Sequence, residues 1–393
     1  MSENTIDARS GKRSKKRKIK KRSDYYDYNL LAVVVLLICF GLVMLYSTSA
    51  YSAQLKYGND LFYFMKQAAI SGIFLIGAII ISQVDYHILK HFSVILFLSS
   101  VILLIAVKFL GTEANGATRW FRFKGLSFQP AELAKLTVIL FLPDLIVKMG
   151  KSMKGWKAPV IAALPGVILS VLTLVFTKNL SSAFIIAGIT MIIIFVAHPK
   201  TMPFVIMAGG AFGAVGAFVY YVANHMTDLA DNFRLNRIVV WLDPTKYAKG
   251  TGMQTLQALY AIGSGGFFGK GLGNSTQKLG AVPEAQNDMI FSIICEELGV
   301  FGAGMLTLLF VYLLYRLMFI AQNAPDLYGS LMVTGIMAHI AIQVVLNIAV
   351  VTNTIPNTGI TLPFVSYGGT SVVFLMAEIA LALSVSKRIV FKD

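Results

Sequence analysis

Residues 29–47 read NLLAVVVLLICFGLVMLYS, a run of nineteen residues that contains no charged side chain. At about 1.5 Å of rise per residue, a helix of this length nearly crosses the roughly 30 Å hydrocarbon core of a bilayer. The segment just before it, from Arg9 to Arg22, is packed with Lys and Arg. A basic segment followed at once by an apolar run is typical of a cytoplasmic tail and its first membrane helix.

Apolar runs of similar length recur along all 393 residues. Hydrophobic residues make up 56% of the chain and charged residues only 13%, whereas soluble domains carry about a quarter charged residues. The composition therefore predicts an all-α integral membrane protein with ten transmembrane helices. The expected spans are 29–47, 65–83, 92–110, 132–148, 158–176, 181–197, 203–223, 288–318, 329–352 and 370–386.

The expected organisation has three parts: a disordered basic cytoplasmic tail (1–28), a polytopic membrane domain (29–386) and a short cytoplasmic end (387–393). An even number of spans returns the chain to its starting side. Basic residues near 148–157 and at 387–388 favour the cytoplasm for that side. The opposite face then receives the loops 111–131, 224–287 and 353–369, of which the second is large. Function carried by loops is expected on this outer face.

The net charge of +15 arises largely in the tail. Because a membrane helix follows directly, we expect the tail to contact membrane lipid and not nucleic acid. A signal peptide is not expected, since the basic region is long and no small-residue cleavage site follows the first apolar run. Cys39 and Cys295 fall inside predicted spans and belong to no metal-spaced cluster, so no metal site or cofactor is predicted, although a divalent cation is left open.

Asp288 is the leading candidate for chemistry. It stands in the stretch PEAQNDMIFSIICEELG (283–299), where a long polar segment becomes a hydrophobic helix. A carboxylate at this boundary is reachable from water yet close to lipid, which suits a general base acting on a lipid-linked substrate. The alternative is a solvated helix cap. Farther into the same span, at least one of Glu296 and Glu297 is expected to be buried with a partner, because charge inside a bilayer is costly.

Cationic residues near the outer loops are candidates for binding phosphate. Glu132 and Lys135 are three residues apart and can form a rim salt bridge. With Arg119 and Arg122 of the preceding loop, Lys135 could instead form a cationic cluster for a pyrophosphate. Lys270 lies in a glycine-rich stretch that is either a phosphate cradle or an interfacial turn.

The loop 353–369 is rich in Pro and Gly and contains Ser366 and Tyr367. Broken backbone at membrane depth persists only where it is packed in protein or lines a cavity. The loop is therefore either a tight connection or one wall of an outward-facing site.

Several motifs together resemble the SEDS family (shape, elongation, division and sporulation proteins), and the last loop is more similar to the FtsW/SpoVE branch than to RodA. The motifs run in family order across residues 30–390. They are Arg119-Trp120, Gln129-Pro-Ala-Glu132-x-x-Lys135, Trp241-x-Asp243-Pro244, Gly263-Ser-Gly-Gly, Gly269-Lys-Gly-Leu-Gly, Pro283-Glu-Ala-x-x-Asp288, Glu296-Glu-Leu-Gly and Pro363-Phe-x-Ser-Tyr-Gly-Gly.

The resemblance implies a peptidoglycan glycosyltransferase that polymerises lipid II at the outer face of the bacterial plasma membrane, at the division septum, beside a class B penicillin-binding protein and other divisome proteins. It places the catalytic aspartate on Asp288. Alternatives are a lipid II flippase, an elongation or sporulation counterpart, or a non-catalytic scaffold. The chain departs from the family at 177–179, where Thr-Lys-Asn replaces a common Gln-Pro pattern. The residues assigned to substrate binding are Arg119, Trp120, Glu132, Lys135, Lys270, Ser366 and Tyr367.

Overall fold

The computed structural model describes residues 25–114, 117–123, 126–155, 157–224, 233–248, 250, 252–279, 282 and 285–391. The predicted basic tail lies almost wholly outside this range, as does Glu284 of the Pro-Glu-Ala motif. The described chain is largely helical. Its helices are α1 (Tyr28–Tyr57), α2 (Phe62–Ile81), α3 (His87–Leu110), α4 (Pro130–Met149), α5 (Ala158–Thr177), α6 (Leu180–Ala197), α7 (Met202–Asn224), α8 (Phe233–Leu242), α9 (Met253–Gly265), α10 (Ile290–Asn323), α11 (Leu327–Val351) and α12 (Gly369–Ser386), with a 3-10 turn at Gly150–Lys154.

Nine helices within the described residues are long and apolar enough to span a membrane, which confirms the predicted all-α membrane class. They are α1, α2, α3, α5, α6, α7, α10, α11 and α12. The remaining long helix, α4, has the length of a span but carries Glu132, Lys135, Asp144 and Lys148. The predicted count of ten spans therefore depends on α4 and stays a prediction.

Contacts between distant parts of the chain place both described chain ends at one end of the helix bundle. The Arg316 guanidinium of α10 donates to the Asp27 carboxylate at 2.7 Å, and the Asp27 main-chain N–H donates to the Ser386 hydroxyl at 3.3 Å. The rings of Tyr25 and Phe391 pack edge to face with centroids 5.2 Å apart. This end is called the Asp27 end; the other is the Asp288 end.

Among the nine candidate spans, α11 and α12 are the most enclosed, with 61% and 67% of their apolar segments buried, against 6% for α7. Helix α10 packs on α11, α9 and α1, and α4 packs on α3, α6 and α11. The start of α10, where Asp288 lies, is therefore supported by the best-packed part of the bundle.

The predicted outer loops contain regular structure that the hydropathy pattern did not indicate. Within 111–131, three strands form an antiparallel sheet in chain order: β1 (Thr112–Ala114), β2 (Ala117–Phe123) and β3 (Leu126–Phe128). Within 224–287, α8 and α9 fold over the bundle end. The sheet is a small local addition to the all-α architecture and positions Arg119.

A kink divides α10, which the sequence predicted as one span over 288–318. Gly299 has φ 69° and ψ −170°, a conformation open to glycine but strained for other residues. The glycine-rich stretch fits against the kink: the Val300 N–H donates to the Gly266 carbonyl at 3.1 Å, and the Lys270 N–H donates to the Glu296 carbonyl at 2.9 Å. The stretch is thus a packed turn in this structure, the second of the two predicted alternatives.

Candidate functional site at the start of α10

Asp288 lies in the turn that precedes α10 and is half-buried. Its carboxylate accepts a long hydrogen bond, 3.4 Å, from the Gln254 side-chain amide of α9. Its main-chain carbonyl accepts a hydrogen bond of 2.8 Å from the Asn347 amide of α11. A Cβ placed on Gly359 would lie 3.8 Å from the Asp288 carboxylate, so the loop 353–369 passes beside it. The carboxylate is thus flanked by α9 and by the loop 353–369, and α11 holds the main chain of the same residue.

Arg237 stands near this carboxylate, and Arg119 stands near Arg237. Desolvation by the surrounding protein lowers the pKa of Arg237, and the nearby Asp288 opposes that change. Burial lowers the pKa of Arg119, and the positive charge of Arg237 lowers it further. The two arginines are therefore close enough to repel each other. A pair of guanidiniums, one of which adjoins a carboxylate, favours the approach of an anion.

Main-chain carbonyls orient both arginines. The Arg119 guanidinium donates to the carbonyls of Thr177 (3.2 Å) and Lys178 (3.0 Å), which connect α5 to α6. Arg237 donates to the Asn357 carbonyl at 3.2 Å. Residues 177–179, which depart from the family pattern, fit the start of α6. The Asn179 side chain caps this helix by accepting from the Ser182 N–H at 3.1 Å.

The loop 353–369 forms a wall of the site. The Asn357 side-chain amide donates to Gln254 at 3.0 Å, and the Ser181 hydroxyl donates to the Thr358 carbonyl at 2.6 Å. Ser366 is buried, and its hydroxyl accepts from the Leu362 N–H at 2.8 Å. The predicted substrate-binding serine is thus bonded within its own loop in this structure.

Tyr367 is half-buried and connects this wall to the Asp288 turn. Its main-chain N–H donates to the Gln286 carbonyl at 2.9 Å, two residues before Asp288. Its ring packs edge to face on Tyr63 of α2 with centroids 5.1 Å apart. Tyr367 therefore lies near the turn that carries Asp288, and its predicted contact with substrate stays a prediction.

Glu132 and Lys135 form a buried ion pair in the first turns of α4. The amine and the carboxylate are 2.8 Å apart, and the side chain of Lys135 is 3% exposed and that of Glu132 is 9% exposed. The pair is more enclosed than the rim salt bridge considered from sequence. Since each charge neutralises the other, any contact of Lys135 with a phosphate would be made by a paired amine.

Glu296 and Glu297 are both fully buried, and each has a lysine partner at 2.7 Å: Lys270 for Glu296 and Lys278 for Glu297. Ser47 of α1 also donates to Glu297 at 2.7 Å. The expectation that a buried glutamate would have a partner thus holds for both. Lys270 is engaged in holding the kinked helix, and its predicted contact with substrate stays a prediction.

The structure corrects one part of the predicted cationic cluster. Arg119 and Arg122 are three residues apart on β2, and alternate residues of a strand point to opposite faces, so the two side chains diverge. Arg122 is exposed, whereas Arg119 and Trp120 are half-buried. The arginine that accompanies Arg119 is Arg237 of α8, which the sequence analysis did not assign to the site. No local signal could have assigned it, because the pairing joins segments more than a hundred residues apart.

No three His, Cys, Asp or Glu side chains are gathered to hold a metal ion in the part of the chain that the structure describes.

Comparison with known proteins identifies the family. The sequence model of the cell cycle proteins FtsW, RodA and SpoVE matches residues 27–389. The chain belongs to this family. It is a multi-pass membrane protein of the FtsW/SpoVE branch, as the resemblance in its motifs implied.

Curated members of the family are similar over nearly their whole length. Stage V sporulation protein E of Bacillus subtilis (strain 168) is 38% identical, with 92% of this chain and 97% of the relative covered. A probable peptidoglycan glycosyltransferase FtsW of the same strain is 36% identical, with 95% and 94% covered. A protein of that name from Geobacter sp. (strain M18) is 34% identical, with 94% and 98% covered.

Two solved structures share the fold. A chain of a peptidoglycan synthase complex, described as coordinating polymerization and crosslinking, matches with a TM-score of 0.75 at 26% identity, covering 92% of this chain and 97% of that one. The rod shape determining protein RodA of Thermus thermophilus matches with a TM-score of 0.64 at 27% identity, covering 94% and 98%.

Proposed function

We propose that this chain is a peptidoglycan glycosyltransferase that polymerises lipid II into glycan strands at the outer face of the plasma membrane. The observation that carries the proposal is the half-buried Asp288 carboxylate at the start of α10, with Arg237 beside it and Arg119 beside Arg237. The names of its relatives support the same activity, since several are called peptidoglycan glycosyltransferase FtsW.

In the proposed reaction Asp288 takes the proton of an acceptor sugar hydroxyl. The hydroxyl oxygen attacks the anomeric carbon of the donor lipid II, and the bond from that carbon to the pyrophosphate oxygen breaks. Undecaprenyl pyrophosphate leaves with the bonding electrons, and Arg237 and Arg119 stabilise its negative charge. Gln254 orients the carboxylate through its side-chain amide.

Other predicted binding residues have supporting roles in this proposal. Trp120 follows Arg119 on β2 and points to the other face of the strand, and its carbonyl accepts from the Thr112 hydroxyl, which supports the sheet that positions Arg119. Tyr367 supports the turn that carries Asp288. The Glu132–Lys135 ion pair is a polar group without net charge at the start of α4. Lys270 pairs with Glu296 and so helps to hold the kink of α10.

The buried polar residues of α11 weigh against a lipid II flippase. A transporter needs polar groups that line a path near the bilayer midplane. His339, Gln343 and Asn347 are polar and lie within α11, but they are at most 3% exposed and bond to neighbouring protein groups. They are packed between elements, as expected of an enzyme whose polar chemistry gathers at one end of the bundle.

We further propose that the chain serves cell division, with a class B penicillin-binding protein as its transpeptidase partner and both termini in the cytoplasm. The similarity to FtsW and to a synthase complex supports this role. Sporulation is the alternative that the similarity to stage V sporulation protein E favours. Depletion in growing cells distinguishes them: long cells without septa support division, while a defect confined to spores supports sporulation.

Asp288→Asn tests the proposed base. The amide nearly preserves size but cannot accept a proton at neutral pH, so polymerisation of lipid II by purified protein with its partner should fall about 10²–10⁴-fold. Asp243→Asn is measured beside it, because Asp243 lies in the same outer segment and its carboxylate bonds its own turn through Thr245. Near-wild-type activity of Asp243→Asn together with a loss in Asp288→Asn supports Asp288 as the base. Activity of Asp288→Asn within about five-fold of wild type would refute the assignment and direct attention to Glu132, Asp243 or Glu284.

Arg119→Gln and Arg237→Gln test the proposed anion site. A charge-assisted hydrogen bond contributes about 1.5–3 kcal/mol, so each loss should weaken substrate use about ten-fold or more. The control is Arg122→Gln on the opposite strand face, which should leave the rate unchanged. Equal effects of all three substitutions would indicate a general charge effect instead of a built site.

A further inference from the structure

Helix α11 presents three buried polar side chains on one face. His339, Gln343 and Asn347 follow one another at intervals of four residues, which places them one above the next along the helix. Their exposed fractions are 0%, 3% and 0%. The three side chains form what we call the α11 polar face, which reaches from the middle of the helix toward its Asp288 end.

Each member of the α11 polar face bonds to a different neighbour. The imidazole of His339 lies 2.9 Å from both carboxylate oxygens of Glu378 in α12. The Gln343 amide donates to the Thr361 carbonyl at 3.0 Å. These two contacts fix how α11 is rotated against α12 and against the loop 353–369.

Asn347 makes the contact that reaches the candidate base. Its side-chain amide donates to the Asp288 carbonyl at 2.8 Å and to the Ile360 carbonyl at 2.7 Å. One buried group therefore joins the backbone of the Asp288 turn to the backbone of the loop that passes beside the carboxylate. The side chain of Asp288 bonds separately to Gln254.

Packing alone does not account for these residues. Within the described part of the chain, no protein group is within hydrogen-bonding reach of His339 Nε2, Gln343 Oε1 or Asn347 Oδ1. A buried polar atom without a partner lowers stability, so an apolar side chain of similar size would serve better if the helix merely had to be filled. The Asn347 contact holds the backbone around Asp288, and the Gln343 and His339 contacts hold α11, the helix that carries Asn347.

We propose that Asn347 is a positioning residue for the glycosyl transfer, fixing the main chain of Asp288 against Ile360, and that Gln343 and the His339–Glu378 pair set the rotation of α11 that aims Asn347. The proposal rests on the assignment of Asp288 as the base. Because a displacement of about 1 Å at reacting groups can cost about 10²-fold in rate, removing the bridge should act on kcat more than on KM.

Asn347→Leu is the principal test, in the full chain purified with its transpeptidase partner. Leucine removes both donors at nearly constant volume. Initial rates of polymerisation measured across lipid II concentrations should show kcat lowered about 10-fold to 100-fold with KM within two-fold of wild type. Val345→Leu is the control, since Val345 is 64% exposed on the same helix, and it should leave both constants unchanged.

Thermal unfolding of each variant separates positioning from a purely structural role. A folded Asn347→Leu protein whose kcat stays within two-fold of wild type overturns the proposal. A loss of rate that merely follows the loss of folded protein also overturns it. If Asn347→Leu does not fold, Gln343→Met decides: a lowered kcat at unchanged KM supports the proposal, and a wild-type kcat refutes it.

Asp288→Asn, measured in the same series, separates the proposed base role of Asp288 from the proposed positioning role of Asn347. An inactive Asp288→Asn with a fully active Asn347→Leu removes the positioning role and leaves the base assignment intact. An active Asp288→Asn removes the base assignment itself, and with it the role of Asn347.

Discussion

Gly299→Ala should destabilise the protein through a conflict at the kink of α10. At φ 69° and ψ −170° an alanine is strained, and such a residue costs about 1–3 kcal/mol. Its Cβ would also lie 2.3 Å from the Phe267 carbonyl oxygen and 2.4 Å from the Gly269 nitrogen. Both neighbours are backbone atoms, so the overlap can be relieved only by moving the glycine-rich stretch away from the helix.

That movement breaks hydrogen bonds across the kink. The Val300 and Phe301 N–H groups donate to the Gly266 and Phe267 carbonyls at 3.1 and 3.0 Å. Two such bonds at about 0.5–1.5 kcal/mol each, added to the backbone strain, give an expected loss of about 2–6 kcal/mol. The loss is large against the total stability of about 5–15 kcal/mol that is typical of folded proteins.

The assay is unfolding in mixed micelles as the denaturing detergent fraction is raised, followed by tryptophan fluorescence. Gly304→Ala is the matched control, because Gly304 lies in the same helix with nothing within 4 Å of a new Cβ. There the substitution should be neutral or should stabilise by up to about 1 kcal/mol through helix propensity. The reasoning is refuted if both variants shift the unfolding midpoint in the same direction by similar amounts.

Three further predictions concern other parts of the molecule. Arg316→Met strands the buried Asp27 carboxylate and should cost about 3–5 kcal/mol in the same assay, with partial recovery when Asp27→Asn is added; no loss would contradict a structural ion pair. Lys135→Met should also destabilise, and adding Glu132→Gln should restore stability; polymerisation that recovers as well would show that the pair does not contact substrate. A cysteine replacing Lys246 should react with an impermeant thiol reagent in intact protoplasts, and labelling only after lysis would reverse the proposed sidedness.

The membrane architecture could be predicted because it depends on local composition. A run such as 29–47 is apolar whatever the rest of the chain does, and the observed α1 covers it from Tyr28 to Tyr57. The kink at Gly299 was not predicted, because a single glycine does not interrupt the hydropathy of a segment. The strands of 111–131 were missed because a search for spans passes over short segments.

The candidate site could be predicted only in part. Asp288 could be proposed because its motif is local and specific, and the family is confirmed by the match over residues 27–389. The place of Arg237 beside Asp288 depends on how α8 packs against the loop 353–369, which no local pattern records. The partners of Glu296 and Glu297 were expected in kind but not by identity, because Lys270 and Lys278 reach them through an irregular segment.

The distribution of buried charge explains why an anion would bind at the Asp288 end. Buried carboxylates elsewhere have close cations: Arg316 lies 2.7 Å from Asp27, and Lys148 lies 2.7 Å from Asp144.

At the start of α10, Arg237 stands near the Asp288 carboxylate, and the charge of Arg237 lowers the pKa of the nearby Arg119. A negative group brought between the two guanidiniums would relieve their repulsion. A lipid-linked pyrophosphate would supply such a group at membrane depth. In the proposed reaction the pyrophosphate leaves in the step in which Asp288 accepts the proton, so the two arginines would balance the negative charge that the leaving group gains.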